Sequence, residues 1–277
     1  MKKKRNYRWM TFSITLALLI LVSTPLTILA ATVEARVPLS DAKSFAVLAY
    51  SEVTNTGTTT IGGTAGGEVG VHAGTSISGK ATMTISGTYH EADAAAGLAQ
   101  TALANAITNA SGRSATRIAT ELGNTTLIGG VYDSASGTFG ITGDLTLDGQ
   151  NDPATVFIFK MASTLTTANG SNVNLINGAS ACNIFWQVGS SATLGTTSHI
   201  SGHILATSSI TATTGAVIDG SLLASTGAVT LDGNTITNNL CPNNIPDTGV
   251  QEDLLFTGSA LLMLAMGAWY LSRKKTA

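Results

Sequence analysis

The feature that most restricts how this chain can fold is a repeat near its C-terminal end. Phe185-Trp-Gln-Val, His203-Ile-Leu-Ala and Ser221-Leu-Leu-Ala begin eighteen residues apart. Ala192-Thr-Leu, Ile210-Thr-Ala and Val229-Thr-Leu follow at steps of eighteen and nineteen, and Ile200, Ile218 and Ile236 recur at eighteen. Each period holds three short alternating runs broken by Gly or Ser, the vocabulary of strands and turns. One such period cannot bury its own apolar face, so the periods are expected to stack as coils of a β-solenoid. The expected fold class is mainly β.

Alternation then assigns directions. In the second run of a coil Ile210 and Ala212 point inward, which sends Thr211 and Thr213 outward. The same rule turns out Thr193 with Gly195, Thr230 with Asp232, and Thr166 with Ala168. Leu145-Thr146-Leu147-Asp148 fits the pattern and is expected to add a further Thr to the column. One outward column is thus Thr in every coil that can be placed, and its neighbour is mixed.

The first run behaves differently. Val156-Phe-Ile-Phe, Ile204-Leu-Ala and Leu222-Leu-Ala are apolar at consecutive positions, so both sides of that face require cover. Residues 90–110, HEADAAAGLAQTALANAITNA, can supply it. Ala95, Leu98, Ala99, Ala102, Leu103, Ala106, Ile107 and Ala110 form one apolar stripe on a helix built largely from the best helix former. About 20 residues make roughly 30 Å of helix, enough to lie along about six coils at about 4.8 Å each.

The two ends carry other signals. Residues 1–35 read as a secretory signal peptide, with basic residues Lys2, Lys3, Lys4, Arg5 and Arg8 before an apolar run from Met10 to Ala31. Ala30, Ala31 or Ala35 could end the cleavage site, and an uncleaved membrane anchor is the alternative. At the other end Ile245-Pro-Asp-Thr-Gly precedes an apolar run from Leu254 to Leu271, then Arg273, Lys274 and Lys275. That order resembles the sorting signal of Gram-positive surface proteins, LPxTG followed by a hydrophobic helix and a basic tail, with Ile245 where Leu is usual. The resemblance implies that a sortase cleaves between Thr248 and Gly249 and joins Thr248 to peptidoglycan; a plain C-terminal membrane anchor is the alternative. The expected organisation is a signal at 1–35, an exported domain at 37–241, a linker with the motif at 242–249, and a hydrophobic helix with basic tail at 250–277. The chain would then meet a membrane only through its terminal hydrophobic segments, and reside in the cell wall or on the surface of a Gram-positive bacterium.

The formal net charge of −2 conceals the balance of the exported part. Between Val37 and Thr248 five basic side chains face thirteen acidic ones, a balance of −8, which leaves no basic patch for nucleic acid or anionic lipid. Cys182 and Cys241 are the only cysteines, and in an exported chain they are a candidate disulfide. Neither has a partner at metal-ligand spacing, so no metal is expected.

LSDAKSFAVLA, VTNTGTTTIGG, EVGVHAGTSISG, the Ala-rich segment, GVYDSASGTFGITGDLTLDG, ATVFIFKMASTLTT and the repeats run in order from Leu39 to Cys241. Over that length the chain resembles the ice-binding-protein-like family. The resemblance implies a discontinuous right-handed β-helix with one long α-helix packed alongside, in which N-terminal strands join coils of the C-terminal half. It also implies a partner, the surface of an ice crystal and its ordered water, and an antifreeze-like, recrystallisation-inhibiting role. A flat uncharged grid of Thr suits that partner: Thr is stiff at χ1 and presents both a methyl and a hydroxyl, whereas a charge keeps its own hydration shell. The expected ice-binding face is Thr166, Thr193, Thr211, Thr213 and Thr230. A T-A/G-x-T/N pattern found in some active relatives is met by Thr211-Ala212-Thr213-Thr214, and only at its ends by Thr193-Leu194-Gly195-Thr196 and Thr166-Thr167-Ala168-Asn169.

Other chemistries find little. His199 and His203 stand either side of a turn at Gly202 and are expected to be exposed polar residues. IGGTAGGEVG lacks the GK[ST] ending of a phosphate loop, and Asp144, Asp148 and Asp152 lack calcium-loop spacing. Carboxylates are scattered and no Ser/His/Asp or Cys/His arrangement is visible, so neither an enzyme nor a cofactor is expected. The rival reading is a wall-anchored adhesin or carbohydrate-binding module that uses the same fold without ice.

Overall fold

The computed structural model describes residues 34–241; the signal-like segment, the Ile245–Gly249 motif with its cleavage pair Thr248 and Gly249, and the C-terminal apolar run lie outside the described residues. Among the described residues no helix is long and apolar enough to cross a membrane.

The strands pair in parallel, and the chain visits three faces in constant order. After Gly202, residues 203–206 lie on the first face, Ile210–Ala212 on the second and residues 217–219 on the third. The second face is a separate seven-stranded sheet. The first and third belong to one fifteen-stranded sheet, because His199–Ala206 and Val217–Ala224 run straight through the corner between them. Gly202 (φ 115°) and Gly220 (φ 149°) make that corner. A Cβ on Gly220 would overlap the Gly202 carbonyl oxygen, so only glycine lets successive coils close up there.

Stacking order and sequence order disagree at one place. The last coil of the C-terminal half is followed in the stack by the first coil of the N-terminal half: Val47 pairs with Leu222, Val53 with Val229, and Thr60 with Thr235. The N-terminal coils finish with Tyr89–Glu91 at one end of the first face, and the chain resumes with Thr116–Ile118 at the other. The helix Ala94–Ser111 makes the return along the outside of that face. Its 18 residues cover about 27 Å. The Asp93 carboxylate caps it, accepting from the Ala96 N–H at 2.9 Å.

Two apolar layers result. Inside the coils Trp186 stacks on Phe159 with ring centroids 4.1 Å apart, and its Nε1 donates to the Ser201 carbonyl at 3.0 Å. Outside the first face Leu48, Leu223, Leu205, Phe185, Ile158 and Val131 are buried under the helix. The expected stripe holds from Ala99 to Ala110, but the first turns differ. Ala96 and Gln100 face inward, whereas Ala95 is exposed and Leu98 is 59% exposed. A 3.6-residue period lets the stripe continue backward from Ala99 by three residues or by four. Gln100 settles it by donating to the Ala224 carbonyl at 3.2 Å, which turns Leu98 outward. The helix also starts four residues later than expected, since Tyr89–Glu91 pairs with Glu68–Val71 as a strand.

Two further expectations need correction. Leu145-Thr146-Leu147-Asp148 lies on the third face, paired with Val173–Ile176, not in the Thr column. The coils there carry insertions: Gly140 pairs with Thr166 and Thr166 with Thr193, steps of about 27 residues, so an eighteen-residue period cannot be projected upstream. His203 is buried, not exposed. The strand passes through the corner, which puts His203 on the covered face at 3% exposure, its Nδ1 2.8 Å from the Ser221 hydroxyl. Burial, then the nearby Arg36 charge, lower its pKa to about 4. His199 stays on the surface, 3.0 Å from Asp219.

Cys182 and Cys241 are joined by a disulfide, with Cα atoms 5.5 Å apart.

Candidate functional site: the threonine face

The second face orders its strands as Phe139–Ile141, Leu165–Thr167, Ala192–Leu194, Ile210–Ala212, Val229–Asp232, Glu52–Thr56 and Ser76–Ile77. Its inner columns are buried. Phe139, Leu165, Ala192, Ile210, Val229, Val53 and Ile77 form one, and they fix the plane of the sheet from behind. Thr167 is buried in the other, where its hydroxyl accepts from the Gly195 N–H at 2.9 Å.

Outward lies a ladder. Thr166 pairs with Thr193, Thr193 with Thr211, Thr211 with Thr230, and Thr230 with Thr54. Thr166, Thr193 and Thr230 are exposed, while Thr211 and Thr54 are half-buried. Parallel pairing sets neighbours about 4.8 Å apart. At the junction of the two halves the Thr54 hydroxyl donates to that of Thr230 at 3.3 Å. Gly140 precedes Thr166 in the column, bridged in turn to Glu121 at the end of the face.

The flanking columns are mixed. On one side stand Thr164, Ser191, Ser209, Ala228 and Glu52; on the other Ala168, Gly195, Thr213, Asp232 and Thr56. Thr213 belongs to this rim and not to the open ladder: it is half-buried, and its hydroxyl donates to the Leu194 carbonyl at 2.7 Å. A Cβ at Gly195 would crowd the Ala168 backbone at 2.5 Å, so two successive coils approach closely at this point of the rim. The Asp232 carboxylate accepts from the hydroxyls of Thr214 and Thr56, which hold it below the usual carboxylate range.

Sequence reasoning placed Thr166, Thr193, Thr211 and Thr230 in one column and missed Thr54 and Thr56. The signal was present: Val53-Thr54-Asn55-Thr56 alternates as Val229-Thr230-Leu231-Asp232 does. The other faces are less regular. The first is covered by the helix. The third carries Thr60, Thr84 and Thr235 in register but also Asp144, Asp148, His199 and Asp219. Among the described residues no group of three His, Cys, Asp or Glu could hold a metal ion.

A parallel solenoid of this kind offers an open, regular surface in place of a cleft, and that defines the class. The chain belongs to the ice-binding-like family, whose model matches residues 47–237. An ice-binding protein of Nostoc sp. (strain HG1) is 43% identical over 203 residues, which span 72% of this chain and 73% of that protein. Among solved structures, an ice-binding protein from the Antarctic ascomycete Antarctomyces psychrotrophicus matches with a TM-score of 0.69 at 41% identity, over 74% of this chain and 98% of that one. An ice binding protein from an Antarctic biological consortium gives 0.71 at 42% identity, over 74% and 92%. The match accounts for nearly all of those two solved chains.

Proposed function

We propose that the domain binds ice through the second face, on the ladder Thr166, Thr193, Thr211, Thr230 and Thr54, with Thr213 at its rim. One observation carries this: five threonines in unbroken parallel register, with no charge between them. Stiff β-branched side chains on a rigid sheet hold methyls and hydroxyls at fixed spacing, and water ordered on that grid joins the crystal lattice. The names of the relatives support the reading. Right-handed winding of the coils is part of it, supported by the solved relatives and by the usual hand of parallel crossovers.

The test uses residues 34–241, assayed for ice-recrystallisation inhibition and crystal shaping. Thr211→Tyr should abolish most of the activity, and Thr60→Tyr on the third face should leave it unchanged. A parent with no effect would move the assignment to an adhesin or carbohydrate-binding module. Equal activity in parent and Thr211→Tyr would mean that another face binds.

Export and wall attachment complete the proposal, with Thr248 and Gly249 as the sortase cleavage pair and peptidoglycan as the acceptor. Support comes from the order of motif, apolar run and basic tail, and from a disulfide, which suits an oxidising exterior. Thr248→Ala should shift the protein from the wall fraction to the membrane fraction; an unchanged wall fraction would refute the assignment.

A further inference from the structure

The threonine ladder crosses a break in the chain. Thr230 belongs to the last coil of the C-terminal half and Thr54 to the first coil of the N-terminal half, 176 residues away in sequence. Between the other threonines of the ladder a single coil of chain links each to the next. Here no coil of chain links the two halves, and they meet by pairing of Glu52–Thr56 with Val229–Asp232 on this face, by comparable pairings on the other two, and by side-chain bonds across the break. Any tilt between the halves would step the face between its fourth and fifth threonines.

Asp232 sits at that step. Its Oδ1 accepts from the Thr56 hydroxyl, in the N-terminal half, at 2.9 Å, and its Oδ2 accepts from Thr214 in the preceding coil. Its own N–H donates to Asn234 Oδ1 at 2.7 Å, and the Asn234 N–H donates to the Thr59 hydroxyl, again across the break, at 3.0 Å. Gly57 and Gly233 (φ 66° and 60°) turn beside it, and a Cβ on Gly57 would lie 3.2 Å from Asp232 Oδ1. One carboxylate therefore ties three successive coils at the rim of the face, with both oxygens given to protein hydroxyls.

We propose that Asp232 is a positioning residue for ice binding, holding the two halves of the threonine face coplanar across the chain break. This rests on the ice-binding reading above. A carboxylate that merely interrupted an uncharged face would have the opposite consequence when removed, which makes the two roles separable.

The domain 34–241 is assayed for ice-recrystallisation inhibition and melting temperature as parent, Asp232→Ala, Asp232→Asn and Thr56→Val. Asp232→Ala should raise the effective concentration about fivefold, the equivalent of one lost positioning bond, although it deletes a charge. Asp232→Asn should restore the parent value, because an amide can accept from Thr214 and donate to Thr56. Thr56→Val, which keeps the carboxylate and the shape of the side chain, should weaken activity in the same direction. Activity in Asp232→Ala equal to or above the parent would overturn the proposal, as would an Asp232→Asn as weak as Asp232→Ala. If Asp232→Ala does not fold, a Thr56→Val that folds and remains fully active overturns it instead. A parent that acts on ice while these variants contradict the clamp leaves the ice reading standing; an inactive parent removes both.

Discussion

His203 couples the covered face to solution pH. Its imidazole is 3% exposed, with Ser221 on one nitrogen and the Cys182 carbonyl near the other, and burial lowers its folded pKa from the ordinary 6.5 to about 4. A depressed His pKa means that the unfolded chain binds the proton first. Stability is therefore full above about pH 6.5, declines as pH falls toward 4, and levels off below that, a loss of about 3 kcal/mol. Urea unfolding of the parent at pH 7, 5.5 and 4.5 should show that slope. His203→Asn should flatten it whatever its own cost in packing, and an unchanged slope would assign the loss to other groups. The threonines tell the complementary story. Thr193, Thr211 and Thr230 were legible because alternation within a short strand decides which side a residue faces, and the eighteen-residue step decides what lies beside it. Thr213 obeyed the alternation but not its consequence, since the strand ends at Ala212 and the side chain swings onto the Leu194 carbonyl.

At the scale of elements, periodicity carried further for the helix than for the strands. A run rich in Ala with apolar residues three and four apart has one solution, and it forms at Ala94–Ser111. Its need for a partner was equally legible, because the doubly apolar first runs had to be covered. The rotation of its first turns was not legible. Leu98 is apolar and lies on the expected stripe, yet a glutamine took the buried position by donating to the Ala224 carbonyl. Strand membership upstream failed for a related reason. Gly140 holds the place in the Thr column that Thr146 was expected to take, because insertions between faces alter coil length without altering the strands themselves. Such insertions cost a solenoid little, since each lies between strands and leaves the pairing of the strands on either side intact.

At the scale of the whole molecule, the chain break and the disulfide belong to one problem, which is closing a stack whose neighbours are far apart in sequence. Val47 must find Leu222 and Thr54 must find Thr230 before the first N-terminal coil is buried on both sides. Those pairings are non-local and make folding slow. The Cys182–Cys241 bond spans 59 residues and encloses the coils bearing Thr193, Thr211 and Thr230, so it restricts the unfolded ensemble of the very coils on which the N-terminal half docks. On the chain-entropy account a loop of that length contributes about 4 kcal/mol. Replacing both cysteines by Ser should lower the urea midpoint by a corresponding amount. The bond lies at the edge of the covered face, beside Asn183 and His203, and touches none of the ladder threonines. Ice-recrystallisation inhibition measured near 0 °C, where the variant remains folded, should therefore match the parent. A folded double-Ser variant that has lost activity would instead show that the clasp sets the plane of the face as well as its stability, and the division of labour between Cys182–Cys241 and Asp232 would have to be redrawn.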